Sequence, residues 1–304
     1  MSIRYIAGRI TESIDPLAVP DAATSVTATA TAATTATVAF TAPANPGVSA
    51  VTGYSVVQTT GGTVFTSASS PISITGLSGS TSYTFQVWPA NAAGVGPVAL
   101  SNTITTPSAG PTVIGQSFQG GYYAGQISTA GNGVADFYLI VAPKATGETN
   151  NIAFATGSFS DPTSVINGPA NSTTMNNANH PAAQYCKGLT IGGYTDWYLP
   201  AKNELELLYY YFKPFGTENI TGVGANSNAV PPRGNYTTTV PPVTPLTAWQ
   251  SGGSESFSSQ RYWSSTQRDG TSGYYQEFFT GNQNYINKTT TGQSWVRAVR
   301  RVAV

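Results

Sequence analysis

Side chains that can bind a ligand are concentrated near the C-terminus, in residues 261–293. Tyrosine rings can stack on the faces of sugars, and the amide and guanidinium groups of Asn, Gln and Arg can bond to hydroxyl groups. A similar mixture is common where a surface contacts a protein epitope. This segment is therefore predicted to bind a glycan or a protein, and the candidate ligand-binding residues are Arg268, Tyr274, Tyr275, Asn282, Gln283, Asn284, Tyr285 and Asn287.

Strand alternation divides these candidates between two faces without saying which face is exposed. Successive side chains of a strand point to opposite sides. If Phe278 faces the core, Gln276 and Tyr274 share its side. Tyr275 and Glu277 then lie on the other side, so either half of the candidates can belong to the core.

The chain carries few residues that could perform catalysis or hold a metal ion. It has one histidine, His180, and one cysteine, Cys186, whereas a structural zinc site needs about four ligands. A hydrolytic triad would have to use His180 as its base. The carboxylates suggest no catalytic pair, so we expect neither an enzyme nor a metal or cofactor. Calcium binding through Asp196, Asp269 or Glu277 stays open as an alternative.

The composition argues against nucleic acid or a membrane as partner. Only 9% of the 304 residues are charged, and 13 basic side chains balance 13 acidic ones. Nucleic acids and anionic membranes are bound through clustered Lys and Arg, and no such cluster occurs here. No stretch reaches the roughly 18 apolar residues of a membrane span, and the N-terminus lacks the pattern of a secretory signal. Synthesis in a cytoplasm without classical export is therefore expected.

Two segments of the second half have a helical pattern. In GGYTDWYLPAKNELELLYYYF at 192–212, Leu205, Leu208 and Phe212 recur at the spacing of one apolar helix face, with Pro200 in the first turn. A second helix is predicted in 177–189, with Asn179 as its cap and Cys186 as a buried structural thiol. The polar segments 145–175 and 213–250 are predicted to be loops, the latter either functional or disordered. Strands that cover the longer helix are expected at 261–266, 273–279, 284–288 and 294–302.

Residues 20–107 have the pattern of a β-sandwich. Strands of period two are predicted near 24–30, 35–41, 51–59, 63–67, 71–75, 81–90 and 98–105, separated by turn residues. Seven strands in about 90 residues are typical of an immunoglobulin-like sandwich. The sequence GLSGSTSYTFQVWPANAAGVG at 76–96 resembles a fibronectin type III domain, with Leu77 before the corner tyrosine Tyr83. The strand at 35–41 differs from that family, because Val38 and Phe40 stand where a tryptophan is usual.

Residues 112–304 resemble the Lcl C-terminal-like domain, a module similar to the C-type-lectin fold. The resemblance rests on GGYTDWYLPAKNEL, on YWSST at 262–266 and on the closing WVRAVRRV. It implies core positions for Trp197, Trp263 and Trp295, and structural roles for Arg297 and Arg300 as anchors of carbonyls or Asp196. It also implies that 261–293 forms the outward, variable surface. The calcium-binding motifs of sugar-binding C-type lectins do not occur in this sequence.

These observations predict a mainly β, multidomain chain: an immunoglobulin-like sandwich of the fibronectin type III class, followed by an α+β C-type-lectin-like domain. The expected parts are an extension at 1–19, a sandwich at 20–107, and a linker with the second domain at 108–304. The extension is either a strand that adds to a neighbour or a disordered leader, and it is a candidate virion-anchoring segment.

The Lcl C-terminal-like domain, which the second half resembles, is common in bacterial surface proteins and in phage virion proteins. The expected function is that of a phage virion protein, a tail-fibre or head-fibre adhesin that binds host carbohydrate through 261–293. Residues 1–107 would contact other virion proteins, and the chain would be exposed on the particle surface, with a trimer as one open oligomeric state. The alternatives are a capsid-decoration or tail-assembly protein with weak adhesion, and a bacterial surface adhesin.

Overall fold

The computed structural model describes residues 18–304 and the backbone of two strands near the N-terminus, β1 (Ser2–Ile6) and β2 (Arg9–Ser13). These strands pair antiparallel with each other. Of the two forms expected for residues 1–19, the strand is therefore the one found, although its partner is a second strand of the same extension. The other residues of 1–17, and with them the predicted virion-anchoring role, lie outside the described residues.

The chain divides into two compact units, Met1–Gly110 and Pro111–Val304. The remaining strands of the first unit are β3 (Thr24–Ala32), β4 (Thr35–Thr41), β5 (Gly53–Gln58), β6 (Phe65–Ser67), β7 (Ile72–Ile74), β8 (Ser82–Tyr83), β9 (Phe85–Asn91), β10 (Gly94–Val95), β11 (Ala99–Leu100) and β12 (Ile104–Thr105). Every strand predicted between 20 and 107 is present, but those expected at 81–90 and 98–105 are each interrupted.

The first unit is a sandwich because its strands are apolar on one side only. One sheet has the order β3-β4-β7, and the other has the order β10-β9-β5-β6, with β11 also paired to β9. In β4, Ala36, Val38 and Phe40 alternate inward, and the ring of Phe40 lies 4.5 Å from that of Tyr54. All four side chains belong to the hydrophobic core of the first unit.

The corner expected around Tyr83 is also present. The Tyr83 hydroxyl accepts a hydrogen bond from the backbone N–H of Ser78 at 2.8 Å, and Leu77 is buried. A tyrosine that binds back to the chain upstream in this way is typical of immunoglobulin-like sandwiches.

The second unit contains strands and four helices. Its elements are β13 (Ser117–Phe118), β14 (Gly121–Ile127), β15 (Phe137–Val141), α1 (Lys144–Gly147), β16 (Glu148–Asn150), α2 (Gly168–Thr174), α3 (Pro181–Lys187), α4 (Lys202–Phe212), β17 (Ala229–Val230), a 3₁₀ turn (Thr247–Trp249), β18 (Arg261–Gln267), β19 (Ser272–Glu277), β20 (Gln283–Asn287), β21 (Ser294–Arg297) and β22 (Val299–Ala303). One sheet has the order β13-β14-β15-β22, with β17 beside β14, and the other has the order β16-β21-β18-β19-β20.

Helix α4 lies at the centre of this unit. The predicted apolar face is correct, since Leu205, Leu208 and Phe212 are fully buried. The helix is, however, buried on nearly every side, including both of its carboxylates. Glu204 accepts from Arg301 Nε at 2.8 Å, and Glu206 lies 3.6 Å from Arg233 Nη1. Buried charges need such partners because desolvation disfavours an isolated charge.

Three sequence predictions need correction in this unit. Helix α2 occupies part of 145–175, where only loops were expected; its conventional signals are the Asn167 side chain, which accepts from the N–H of Ala170, and Pro169 in the first turn. Helix α3 begins after His180, not after Asn179. Helix α4 begins at Lys202, so Pro200 precedes it rather than forming its first turn.

The long segment 213–250 is irregular, as predicted, but it is packed rather than loosely exposed. Tyr236 and Trp249 are buried in the core, and the Trp249 ring stacks on Phe212 at 3.8 Å. The structure is thus mainly β and multidomain, with a fibronectin-type sandwich, which confirms the predicted fold class. Within the described residues, no helix is long and apolar enough to cross a membrane.

Candidate functional site

Six of the eight predicted ligand-binding residues lie on β19 and β20, at the free edge of the second sheet, and Arg268 and Asn282 lie in the connections that precede these two strands. Strand register places Tyr274 opposite Tyr285 and Tyr275 opposite Asn284. Because side chains alternate, the candidates divide between two sides of this edge. Tyr274, Gln283, Tyr285 and Asn287 share one side, and Tyr275, Asn282 and Asn284 share the other.

Tyr274 and Tyr285 form a row with two cations on the side that packs against α4. The Arg268 guanidinium lies 3.4 Å from the centroid of the Tyr285 ring. The Tyr285 and Tyr274 rings meet edge to face at 6.2 Å, and the Lys202 ammonium lies 5.3 Å from the Tyr274 centroid. We name Arg268, Tyr285, Tyr274 and Lys202 the cationic ridge.

The opposite side forms an open groove of about 260 Å³, which we name the polar groove. It is lined by Ser259, Gln260, Arg261, Tyr275, Glu277, Asn282 and Gln293. Tyr275 supplies the aromatic surface, and burial raises the pKa of its hydroxyl, so the group is a neutral phenol near pH 7. The remaining lining is polar, and concave surfaces of this kind are where small ligands bind.

Several polar groups of the groove lack partners within the described part of the chain. Arg261 donates from Nη2 to the carbonyl of Gly292 at 3.0 Å, but its Nε is buried without a hydrogen bond. Glu277 uses Oε2 to accept from Thr280, which leaves Oε1 free. One cation and one anion line the groove, so its formal charges cancel.

Some residues of the 261–293 surface proved to be core. Tyr262, Gln276 and Lys288 are fully buried. Lys288 Nζ donates to Asp161 Oδ2 at 2.7 Å, to Gln267 Oε1 at 2.7 Å and to the carbonyl of Phe159 at 2.8 Å. Its ammonium therefore serves the fold and cannot reach a ligand.

His180 belongs to the same buried cluster. Its Nε2 lies 2.8 Å from Asp161 Oδ1, and its Nδ1 lies 2.9 Å from Asn177 Oδ1. Both ring nitrogens thus have oxygen partners, so neither is free to accept a proton from a substrate. Cys186 is fully buried, and desolvation raises the pKa of its thiol, which makes it unreactive.

Residues that carry the resemblance to the Lcl C-terminal-like domain stabilise the fold of the second unit. Trp197 and Trp263 are core residues, and Trp295 is partly buried against the core. Arg300 binds both carboxylate oxygens of Asp196, at 2.7 and 3.0 Å. Arg297 is fully buried and donates to the carbonyls of Ala142 and Glu255.

A wider depression of about 620 Å³ lies over Tyr198, Asp196 and Arg301. Its charges are already paired, because Arg301 binds Glu204 and Asp196 binds Arg300. The Tyr198 hydroxyl also donates to Glu204 at 2.5 Å. This depression therefore offers fewer free donors and acceptors than the polar groove. Across residues 18–304, no group of three or more His, Cys, Asp or Glu side chains could hold a metal ion.

The candidate list from the sequence missed several contributors to these surfaces. Gln260 and Gln293 line the groove, and Lys202 completes the ridge. Lys202 lies on α4, far from β19 in sequence, so no local pattern could connect it with Tyr274. Nothing in the sequence marks Gln293. In the structure its backbone φ is 59°, a conformation that is uncommon for a residue other than glycine.

Protein-family models match both units in the predicted order. A fibronectin type III domain model matches residues 21–106, and an Lcl C-terminal domain model matches residues 161–300. The chain therefore contains a fibronectin type III domain followed by an Lcl C-terminal domain. This combination indicates a cell-surface or adhesin-like protein.

Solved structures similar to this chain contain fibronectin type III domains. A titin fragment is 26% identical with a TM-score of 0.28, and the match covers 30% of this chain and 33% of that one. The FN5 domain of Drosophila Lar is 22% identical with a TM-score of 0.25, and the match covers 30% of this chain and 100% of that domain. Domains d3–d4 of rat CD45 are 16% identical with a TM-score of 0.27, and the match covers 29% of this chain and 51% of that one. This chain thus spans about a third of the titin fragment's length. A comparison with curated proteins found no match.

Proposed function

We propose that this chain is a phage virion protein that attaches the particle to its host, and that the polar groove binds host-surface carbohydrate. The observation that carries the proposal is the groove itself, in which one tyrosine ring lies beside amide, guanidinium and carboxylate groups. A sugar offers an apolar ring face and a rim of hydroxyls, which matches this lining.

In this proposal each groove residue contacts a different part of the sugar. The Tyr275 ring packs on a ring face of the sugar. The amides of Asn282 and Gln293 can both donate and accept, so they suit hydroxyl groups, which do the same. Arg261 Nη1 donates to an oxygen, and Glu277 Oε1 accepts from a hydroxyl. Because the groove's formal charges cancel, the sugar bound there is expected to be neutral.

The groove is proposed to bind its sugar without cleaving it. Glycoside hydrolysis generally uses two carboxyl groups on either side of the scissile bond. Glu277 is the one carboxylate among the groove's lining residues. The other chemically capable side chains, His180 and Cys186, are buried elsewhere in the same unit. A binding role therefore agrees with the lining better than an enzymatic one.

The remaining parts of the proposal concern the particle. Residues 1–107 would mount the chain on other virion proteins, and the second unit would face outward. A sandwich is suited to such mounting because its edges and loops can contact neighbours while its core stays intact. Bacterial surface display remains the alternative setting for the same groove.

Binding of the full-length chain to intact candidate host cells and to their extracted surface polysaccharide tests the proposal. The double variant Asn282→Ala/Gln293→Ala removes two groove amides. Losing their hydrogen bonds should weaken binding about tenfold. The matched control is Asn176→Ala/Gln184→Ala, which removes one exposed Asn and one exposed Gln outside the groove and should bind as the parent chain does.

Two results would count against the proposal. Equal binding by both double variants would remove the groove as the sugar site. A folded parent chain that binds neither the cells nor the polysaccharide of any host tested would favour the capsid-decoration or tail-assembly role instead.

A further inference from the structure

The cationic ridge is a second exposed surface that neither the fold nor the polar groove requires. Tyr285 is 41% exposed, and the Arg268 side chain is 42% exposed. The ridge lies on the opposite side of β19 and β20 from the groove, since Tyr274 and Tyr275 are neighbours in one strand. A ligand on the ridge therefore contacts different residues from a ligand in the groove.

Arg268 has donors to offer. A guanidinium carries five N–H donors, and the Arg268 side chain makes no hydrogen bond within the described residues. Its nearest carboxylate is Asp269 Oδ2, at 3.7 Å. The other oxygen of Asp269 is occupied by the N–H groups of Thr271 and Ser272. The guanidinium carbon lies 3.4 Å from the centroid of the Tyr285 ring, and 42% of the Arg268 side chain is exposed to solvent.

Lys202 lacks an ion-pair partner although it is partly buried. It makes no ion pair within the part of the chain that the structure describes, and its ammonium faces the Tyr274 ring. Desolvation lowers the pKa of Lys202, because the attraction of Glu206 does not fully offset the cost of burying the positive charge. An anion bound at the ridge would offset that cost.

We propose that the cationic ridge binds a carboxylate-bearing polysaccharide, with Arg268 and Lys202 contacting carboxylates and Tyr274 and Tyr285 contacting sugar rings. Arg268 is suited to a carboxylate because two parallel N–H groups match its two oxygens. The adhesin would then have two sites, a neutral one in the groove and an anionic one on the ridge.

The sparse charge favours an acidic polysaccharide over a nucleic acid. Single-stranded nucleic acids are bound through grooves with strong positive charge along the backbone. The ridge has two cations, and Asp269 stands beside one of them.

Binding of polygalacturonate to the full-length chain, measured by calorimetry, tests the ridge. The fully methyl-esterified polymer is the matched ligand, because it keeps the sugar rings and loses the negative charge. We expect the parent chain to bind polygalacturonate, with affinity that falls as salt is raised, and to bind the ester at least tenfold more weakly.

Single-charge variants locate the site. Arg268→Gln and Lys202→Gln should each weaken polygalacturonate binding about tenfold, as loss of a charge-assisted hydrogen bond requires. Lys187→Gln, on α3, removes the same charge outside the ridge and should bind normally. The groove variant Asn282→Ala/Gln293→Ala should also bind polygalacturonate normally, so the ridge and groove proposals can fail separately.

Three outcomes would overturn the ridge proposal. Equal binding of the acidic and esterified polymers would show that the carboxylates are not recognised. An equal loss in Lys187→Gln would show a general charge effect. Tighter binding of a single-stranded oligonucleotide than of polygalacturonate, lost in Arg268→Gln, would make a nucleic acid the ligand.

Discussion

At the scale of single residues, the second unit contains buried charges that are paired with one another. Lys288, Asp161 and His180 form one such cluster beneath the ligand-binding edge. The Lys288 ammonium has three oxygen acceptors and no contact with solvent. Replacing one member of a buried ion pair leaves the others uncompensated, which costs more than the pair itself contributes.

The variant Lys288→Met should destabilise the second unit by about 3 kcal/mol. The methionine fills a similar volume but leaves Asp161 Oδ2 without its donor, whereas Gln267 Oε1 keeps the N–H of Asp161. Denaturant unfolding of the parent and the variant measures the difference. Lys187→Met, at a more exposed position on α3, is the control and should change the free energy of unfolding by less than about 0.5 kcal/mol. Equal effects of the two substitutions would contradict the prediction.

Glu206 is expected to give the fold an unusual pH dependence. Complete burial raises its pKa above the ordinary value of 4.5, outweighing Arg233 and the hydrogen bonds from Asn226 and Tyr236. The folded state therefore binds more protons than the unfolded state in the window between these two pKa values. By linkage, the contribution of Glu206 to stability falls as pH rises through that window.

A comparison of the parent chain with Glu206→Gln isolates this contribution. The difference in unfolding free energy, parent minus variant, should decrease as pH is raised from 4.5, the ordinary pKa, and level off above the raised pKa. Denaturant unfolding at a series of pH values provides the measurement. A difference that increases with pH in this window would mean that Arg233 lowers the pKa more than burial raises it.

At the scale of elements, the irregular segment 213–250 is attached to α4 by a buried asparagine. Asn226 Nδ2 donates to the Asn203 carbonyl at 2.8 Å and to Glu206 Oε2 at 2.5 Å. Its Oδ1 accepts from the N–H groups of Asn228 and Ala229. One side chain thus satisfies polar groups of both the helix and the segment.

The variant Asn226→Ala should release this attachment. Because several buried groups lose their partner together, we expect a loss of about 2–3 kcal/mol and faster amide hydrogen exchange across 213–250. Asn235→Ala, at an exposed position of the same segment, should leave both quantities unchanged. Unaltered exchange in Asn226→Ala would show that packing of Tyr236 and Trp249 alone holds the segment.

The paired strands β19 and β20 present two candidate binding surfaces, because successive side chains of each strand point to opposite sides of the sheet edge. Tyr275 points into the groove, while Tyr274 and Tyr285 belong to the ridge. A combined Tyr275/Tyr285 variant would damage both surfaces and could not distinguish them. Separate variants on each side are therefore required to assign a ligand.

At the scale of the whole molecule, each unit has a core of its own. Ile74, Val56 and Phe85 belong to the core of the first unit. Leu208 and Tyr262 belong to a core of the second unit. Since the core clusters share no residue, each unit has its own source of stability.

Calorimetry of two core variants tests this separation. Ile74→Ala should lower the stability of the first unit by about 3 kcal/mol, and Leu208→Ala that of the second by a similar amount. We expect two unfolding transitions, with each variant shifting one transition and leaving the other in place. A single transition that both variants shift equally would mean that the units unfold together.

Much of the fold was predictable because it follows local rules. Alternation at Ala36, Val38 and Phe40 predicted a sandwich strand, and the Leu77-to-Tyr83 spacing predicted its corner. Helix α2 was missed because its residues, GPANSTT, are poor helix formers, and its cap Asn167 is as common in turns. Tertiary contacts stabilise that helix, and a local pattern does not contain them.

The sequence by itself determined the two domain classes, the α4 core helix and the concentration of Tyr, Asn and Arg in 261–293, because periodicity and composition are local properties. Only the tertiary structure decided which of those side chains are available. It buried Lys288, left Tyr285 exposed, and brought Lys202 from α4 to the ridge. Exposure depends on what packs against each side of a strand, and those partners are distant in sequence.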